Sequence, residues 1–123
     1  MAIVKITPVE LDEYNKASSE VTTANLTTAV DATDGAYYEH KERDDKYIII
    51  AQNVHVSASK NLVIKKGNSI QGGADKTIAI AAGKTVFITL DSGRFKNVSG
   101  TDKGRVILTG SSADIQLAVV KLP

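Results

Sequence analysis

The sequence predicts an all-β protein, an antiparallel β-sandwich of the jelly-roll type with a short helix or arm at its N-terminus. From Tyr47 onward, short alternating or apolar runs recur about every 8 to 12 residues, a spacing typical of a sandwich or barrel. Ile, Val and Thr dominate these runs, and their branched side chains pack well on a pleated sheet. Gly, Asn and Asp separate the runs, because these residues adopt turn conformations easily. No interval is long enough for crossover helices, which argues against a parallel α/β fold.

Seven candidate strands follow from this pattern, namely KYIIIAQN, VHVSA, NLVIKK, KTIAIAA, KTVFITL, GRVILTG and IQLAVVKL. Each is expected to bury apolar residues from one face or from a continuous run. Because the run YIIIA is apolar on both faces, Ile49 is a further candidate for burial. The predicted core comprises Ile48, Ile50, Ile78, Ile80, Val86, Ile88, Leu90, Ile107, Ile115, Leu117 and Val119.

The N-terminal third has a different character. Thr7, Pro8 and Glu10 fit the N-cap, first and third positions of a reciprocal capping arrangement, which predicts a short helix from Pro8 to Lys16. The stretch that follows, SSEVTTANLTTAVDATDG, is rich in Thr, Ser and Ala. It is compatible with an edge strand, an extended arm or a loop.

Size and composition indicate one compact domain. Of the 123 residues, 42% are hydrophobic, enough to bury a core without disulfide bonds. We expect the arm, helix and extended segment to occupy residues 1–45 and the β-sandwich to occupy residues 46–123. The absence of cysteine excludes thiolate metal sites and cysteine nucleophiles. A net charge of +1 does not suggest a nucleic acid partner, and no run approaches the roughly 18 apolar residues of a membrane span.

The tripeptide Gly83-Lys84-Thr85 matches the end of a nucleotide-binding P-loop. A P-loop needs another glycine at the position where this chain has Ile78. The motif therefore fails, and the alternation on either side predicts two strands joined by a turn at Ala81–Lys84.

Candidate metal and catalytic groups also fail on spacing. The segment DATDG begins like a calcium-binding loop at Asp31, but its third and fifth positions are Thr33 and Gly35. His40 lies in the run YYEHKERDDK, which we interpret as an exposed turn, and His55 is interpreted as a solvent-facing strand residue. No carboxylate pair or nucleophile elbow can be singled out, so we expect no metal, no organic cofactor and no enzymatic activity.

Two surfaces are candidates for binding. Tyr37, Tyr38 and Tyr47 form an aromatic cluster, which we interpret as covering one edge of the sandwich rather than binding sugar, since the chain has no Trp. The stretch SGRFKNVSGTDKGR is locally basic and predicts a long loop or hairpin surface able to contact an acidic protein patch. Its basic residues are Arg94, Lys96, Lys103 and Arg105.

The chain resembles a known family over residues 46–123. The segment GNSIQGGADKTIAIAAGKTVFITLDSGRFKNVSGTDKGRVILTG, followed by IQLAVVKLP, is similar to small β-rich accessory proteins encoded beside the major capsid protein of tailed bacteriophages. The similar features are the Gly-x-x-Ile-Gln-Gly turn, the AAGKT hairpin, the SGRFK stretch and the terminal Leu-Pro.

This resemblance implies a capsid decoration protein, a β-sandwich that binds the outside of an assembled phage head and stabilises it. It implies the major capsid protein as partner, association in trimers, and a location on the virion surface after synthesis in the host cytoplasm. Ile3, Val4 and Ile6 form an apolar strand-like segment that is a candidate for attachment by strand addition to a neighbouring sheet. Pairing of this strand within its own sandwich is an equally weighted alternative.

Two other functions stay open at this stage. A sugar-binding or cell-surface-binding module is favoured by Tyr37 and Tyr38 and disfavoured by the lack of Trp. A small hydrolase or lyase on a β scaffold is less favoured, because no nucleophile and base can be nominated.

Overall fold

The computed structural model describes residues 4–11, 24–25, 35–70, 73–111 and 114–123, which form a two-layer β-sandwich. A 3-10 turn (Asp44–Lys46) precedes the fifth strand, and α1 (Ser92–Phe95) is a single helical turn. The strands within these ranges are β1 (Val4–Lys5), β2 (Val9–Glu10), β3 (Ala24–Asn25), β4 (Ala36–Glu39), β5 (Tyr47–Asn53), β6 (Lys60–Ile64), β7 (Lys76–Ile80), β8 (Thr85–Ile88), β9 (Arg105–Gly110) and β10 (Ile115–Lys121).

The strands form two sheets. The first sheet has the order β1-β4-β9-β6-β7, and the second has the order β2-β10-β5-β8, with β3 also pairing with β10. The pairings are antiparallel except for two short parallel ones, β1 with β4 and β2 with β10. The predicted all-β, antiparallel-rich sandwich is therefore confirmed.

The segment Val4–Leu11 crosses from one sheet to the other and closes one end of the sandwich. Its first strand lies in the first sheet, where the Ile6 amide donates to the Tyr37 carbonyl at 2.8 Å. Its second strand lies in the second sheet, where the Leu11 amide donates to the Lys121 carbonyl at 2.9 Å. Ile6, between them, is only 5% exposed.

The predicted helix from Pro8 is wrong over residues 8–11, because Val9 and Glu10 pair with β10; residues 12–16 lie outside the described residues. An isolated helix of about two turns has marginal stability. Backbone hydrogen bonds to β10 therefore form here instead of the helix that the capping pattern predicts. The sandwich also begins before the predicted boundary at residue 46, since β4 is an inner strand of the first sheet.

Side chains from the inner faces of both sheets form one core. Of the predicted members, Ile80, Ile115, Leu117 and Val119 are buried, and Ile78, Val86, Ile88 and Leu90 pack against them while partly buried. Core residues that the sequence analysis missed include Ile6, Tyr38, Leu62, Ile64, Phe95, Val106 and Leu108.

Three predicted core residues, Ile48, Ile50 and Ile107, lie on the outer faces instead. In β5 the buried positions are Tyr47, Ile49, Ala51 and Asn53, and in β9 they include Val106 and Leu108. The run YIIIA is apolar on both faces, so the period of two leaves open which face turns inward. The partner sheet makes that choice. In GRVILTG, Ile107 shares its face with Arg105 and Thr109, whereas the opposite face holds Val106 and Leu108.

The turn at Ala81–Lys84 forms as predicted, with the Lys84 amide donating to the Ala81 carbonyl at 3.1 Å and Gly83 at φ 72°. The strands that it joins do not pair, however, because β7 pairs with β6 in the first sheet and β8 with β5 in the second. The connection is an arch between the sheets rather than the expected AAGKT hairpin.

Asn53 anchors this arch at the end of β5. It is fully buried, and its side-chain amide donates to the Ala58 and Ile80 carbonyls, each at 2.9 Å. Its side-chain oxygen accepts from the His55 amide at 2.9 Å. The predicted strand VHVSA is wrong, since residues 54–58 form a loop; Nδ1 of His55 accepts from the amides of Ser57 and Ala58.

The side chains of β5 alternate between the core and the outer face. Substitutions at two neighbouring residues of this strand should therefore affect stability unequally. Ile49→Ala removes a fully buried side chain and should lower the free energy of unfolding by about 2–5 kcal/mol. Ile50→Ala, on the outer face of the same strand, should cost less. Urea unfolding of both variants measures the difference. Equal losses in the free energy of unfolding would contradict the assignment of Ile49 to the inner face and Ile50 to the outer face.

Gly35 occupies a position that no other residue fits. Its φ is 82°, and a Cβ there would lie 2.1 Å from the Leu108 carbonyl oxygen. Gly35→Ala should therefore lose more stability than the about 1–2 kcal/mol that left-handed backbone alone adds. Gly100→Ala is the matched control, because Gly100 has φ 79° but open space around it. Thermal unfolding compares the two variants, and equal destabilisation would show that the close contact relaxes without cost.

Candidate binding surface

The outward side chains of the second sheet are mainly apolar at its centre. Cross-strand partners place Ile50 between Phe87 and Ala118, and Ile48 beside Val120, which in turn neighbours Val9. Phe87 is 72% exposed, whereas Ala118 is 3% exposed and the others are partly exposed. We call this surface the apolar outer face and define it by its exposed or partly exposed members Val9, Ile48, Ile50, Phe87 and Val120.

The outer face of the first sheet is mixed, since Val63 and Ile107 lie on it among polar residues, and its charged groups are paired. Lys5 Nζ lies 3.1 Å from Glu39 Oε1 across β1 and β4. The Arg105 guanidinium stacks over the Tyr37 ring at 4.0 Å and pairs with Asp102 at 3.2 Å. The two outer faces therefore differ in chemistry, and the apolar outer face is the one suited to contact with another protein.

The structure pairs the described part of the proposed N-terminal attachment segment within its own sandwich. Val4 pairs with Ala36 of its own sheet, and Ile6 is buried in the core. Of the two alternatives left open by the sequence, this corresponds to pairing within the sandwich; Ile3 lies outside the described residues. A buried Ile6 cannot fill a pocket on a neighbour without leaving its own core.

The basic stretch does form a surface loop after α1. The Gly104 amide donates to the Asn97 carbonyl at 2.7 Å and the Asn97 amide to the Arg105 carbonyl at 3.0 Å, which closes the loop at its base. Arg94 and Lys103 are exposed, whereas Lys96 and Arg105 are partly buried. Because Arg105 already pairs with Asp102 and stacks on Tyr37, the four basic residues do not act as one positive patch.

An open groove of about 670 Å³ lies where the crossing segment Val4–Leu11 meets the start of β5. Its charged lining is balanced in sign, and two of the pairs are joined directly, Lys5 with Glu39 at 3.1 Å and Lys121 with Glu10 at 3.4 Å. The charged residues that line it are Lys5, Glu10, Glu39, Lys41, Glu42 and Lys121. This balance gives the groove no charge preference for a ligand.

A hydrogen-bonded chain of Tyr38, His40 and Asp44 lies beside the core. The Tyr38 hydroxyl lies 2.8 Å from His40 Nδ1, and His40 Nε2 lies 3.0 Å from Asp44 Oδ1. Since an ionised carboxylate only accepts, Nε2 carries the proton and Nδ1 accepts from the Tyr38 hydroxyl. Asp44 Oδ2 in turn accepts from the Ser92 amide at 3.2 Å, which ties the chain to α1.

This arrangement is a structural network rather than a catalytic one. Burial raises the pKa of Tyr38 far above its usual range, and burial lowers the pKa of His40 although Asp44 opposes that shift. Burial alone would raise the pKa of Asp44, but hydrogen bonds from Ser92 and His40 outweigh it and the pKa falls. His40 is 1% exposed and Tyr38 is fully buried, so no substrate reaches either side chain.

The interpretation of residues 37–46 as an exposed turn is accordingly wrong for part of the run. Tyr38 lies on the inner face of β4, and the rings of His40 and Tyr47 pack with centroids 4.5 Å apart. Of the tyrosine cluster, only Tyr37 keeps partial exposure. Two signals were visible in the sequence: Tyr38 and His40 share one face of an alternating strand, and Asp44 follows His40 by four residues.

The described ranges contain neither a group of metal ligands nor a membrane-spanning helix. Within them, no three His, Cys, Asp or Glu side chains are grouped as a metal site. None of the helices found there is long and apolar enough to cross a membrane. The predicted failure of the calcium loop falls largely outside this part of the chain, since residues 31–34 are not described.

The lowered pKa of His40 predicts a loss of stability in mild acid. In the unfolded chain this histidine titrates near 6.5, whereas the folded protein holds its pKa lower. As the pH falls below 6.5, the unfolded state takes up the proton first, so the free energy of unfolding decreases until the folded pKa is passed. Urea midpoints measured between about pH 7.5 and 5.5 should show this fall.

The variant His40→Gln should flatten this pH dependence, because it removes the titrating group. His55→Gln is the matched control, since it alters the other histidine and leaves His40 in place. Identical pH slopes for His40→Gln and the unmodified protein would contradict the assignment.

Comparison with protein-family models, with curated proteins and with solved structures found no match to this chain.

Proposed function

We propose that this protein is a structural capsid decoration protein that binds the outer surface of an assembled phage head and stabilises it, with the major capsid protein as its partner. The observation that carries the proposal is the apolar outer face of the second sheet, where Ile50 lies beside Phe87 and Phe87 is 72% exposed. The resemblance over residues 46–123 supplies the identity of the partner. Its role is contact rather than catalysis.

The chemistry of the apolar outer face supports a protein partner. Contiguous apolar surface rimmed by polar residues is typical of protein–protein interfaces. Here Thr85, Gln52 and Gln116 lie in one cross-strand row directly beside the row of Phe87, Ile50 and Ala118. Flat sheet surface of this kind suits a broad contact, whereas small ligands prefer concave pockets.

A capsid lattice also suits a contact of modest strength. A protein that binds the assembled lattice but not its free subunits shifts the equilibrium toward assembly by mass action. Many copies on one head add their effects without any single contact being strong. The proposed site is therefore the virion surface, reached after synthesis in the host cytoplasm.

The sugar-binding alternative loses its main support. Tyr38 and Tyr47 are buried in the core, so they cannot stack on a sugar. Tyr37 is covered on one face by the Arg105 guanidinium at 4.0 Å. The hydrolase alternative gains nothing from the network around His40, because the Tyr38 and His40 side chains in it are buried.

Binding to heads assembled from the major capsid protein of the same phage tests the proposal. The unmodified protein should cosediment with such heads to a saturating level and raise the temperature at which they disassemble. The variants Ile48→Gln and Val120→Gln, combined in one chain, should weaken binding by at least about tenfold, because each removes an apolar side chain from the contact. Their urea midpoint shows whether the fold is retained.

Val56→Gln is the control, since Val56 is 93% exposed in the loop after β5, outside the apolar outer face. It should bind heads like the unmodified protein. Failure of the unmodified protein to bind heads would overturn the proposed function. Full binding by a folded double variant would overturn the assignment of the surface.

A further inference from the structure

Among the residues that the structure describes, β8 is an edge strand that pairs with β5 on one side and with no strand on the other. It ends the second sheet, and its registered neighbour is β5, with Gln52 opposite Thr85 and Ile50 opposite Phe87. The Asn53 amide donates to the Lys84 carbonyl at 3.0 Å, which makes this pair one of the hydrogen-bonded pairs of the ladder.

Hydrogen-bonded and non-hydrogen-bonded pairs alternate along an antiparallel ladder. Counting every second residue from Lys84, the residues of β8 that form hydrogen-bonded pairs with β5 are Val86 and Ile88. Thr85 and Phe87 direct their backbone N–H and C=O groups away from β5. Among the described residues, no backbone partner is found on that side.

The sequence of this edge is self-complementary. Thr85-Val86-Phe87-Ile88-Thr89 reads as Thr, branched, aromatic, branched, Thr in either direction. An antiparallel two-fold pairing centred on Phe87 sets like residues opposite each other, which is the condition for an interface of two identical surfaces.

We propose that β8 pairs with β8 of a second copy of this chain, in antiparallel register, with Phe87 facing the partner's Phe87. In this register Val86 faces the partner's Ile88, and Thr85 faces the partner's Thr89. In this register the outward backbone groups of Phe87 exchange hydrogen bonds with those of the partner's Phe87, and Thr85 lies opposite the residue that follows the partner's β8. The second sheets of the two copies become one continuous sheet.

The register also keeps the two faces of the sheet consistent. Val86 and Ile88 pack against the core on the inner face, and Phe87 lies on the outer face. Pairing across the two-fold axis therefore joins inner residues with inner ones and outer residues with outer ones. A shift by one residue would place Phe87 opposite an inward side chain.

The side chains on this edge favour such pairing. Aromatic pairs, branched aliphatic pairs and Thr–Thr pairs each stabilise neighbouring strands. Natural edge strands are commonly protected by Lys, Pro or a bulge, yet the five residues from Thr85 to Thr89 contain neither Lys nor Pro.

This inference does not depend on capsid binding. The resemblance implied trimers, which stays an untested prediction for copies on a head. A two-fold axis through β8 instead gives a closed dimer of the free protein.

Sedimentation velocity of the purified full chain tests the oligomeric state. We expect a monomer–dimer equilibrium that shifts toward dimer as the concentration approaches about 1 mM, since edge pairing buries little area and is of low affinity. A monomer throughout this range, or a trimer without a dimer, would overturn the proposal.

Charge substitutions at the self-paired position test the register. Phe87→Lys and Phe87→Glu should each be monomeric, because each places like charges opposite each other. An equimolar mixture of the two variants should recover the dimer. Phe87 is 72% exposed, so both variants should fold, and circular dichroism checks this. Failure of the mixture to recover the dimer would contradict the pairing of Phe87 with the partner's Phe87.

A cross-link provides a second test, because the chain contains no cysteine. Directly opposed residues in a hydrogen-bonded pair have Cα atoms about 5.5 Å apart, a separation that a disulfide spans. Phe87→Cys should form a covalent dimer under mild oxidation much faster than Val56→Cys, whose position is 93% exposed and lies in the loop after β5, outside β8. Equal rates would overturn the proposal.

Discussion

The antiparallel ladder between β5 and β10 is the interaction on which the rest of the sandwich depends. It runs over seven residue pairs, from Ile115 opposite Asn53 to Lys121 opposite Tyr47. Its inner face supplies Ile49, Leu117 and Val119 to the core. On its two sides it holds β8 next to β5, and the short strands β2 and β3 in succession along β10. Removal of this pair would leave the second sheet without a centre.

Buried polar groups mark both ends of β5 and limit its register. At the first end, Tyr47 packs against His40, whose ring is held by Tyr38 and Asp44. At the other end, the side-chain amide of Asn53 donates hydrogen bonds to the carbonyls of Ala58 and Ile80. A slip of β5 by one residue would leave these polar groups without hydrogen-bond partners in the core, where each unpaired group costs about 1–3 kcal/mol. Polar contacts thus select one alignment of a strand whose apolar pattern alone permits two.

The same ladder explains why one surface of the protein is suited to contact. Because β5 and β10 are apolar on both faces, burying one face against the first sheet leaves the other facing outward. The outward side chains of β4 and β9 are more mixed, because Ile107 lies beside Tyr37 and the charged residues Glu39 and Arg105 are paired. The asymmetry between the two sheets, rather than any pocket, is the feature from which a binding role follows. It also places Phe87 at the meeting point of the apolar outer face and the free edge of β8.

The sequence by itself determined the all-β class, most strand positions and the turn at Ala81–Lys84, because alternation and turn residues act over a few neighbours. Tertiary structure decided which face of YIIIA turned inward, since both faces are apolar and only contacts with the opposing sheet and the buried polar groups at the ends of β5 distinguish them. It also decided that Val9 and Glu10 join β10 instead of a helix, and that β7 and β8 enter different sheets. The apolar outer face could not be predicted for the same reason: it joins residues from distant strands, and the sequence assigned two of them, Ile48 and Ile50, to the core. Hydrophobicity is a property of each residue, whereas the side of the sheet that is buried is a property of the assembled pair of sheets.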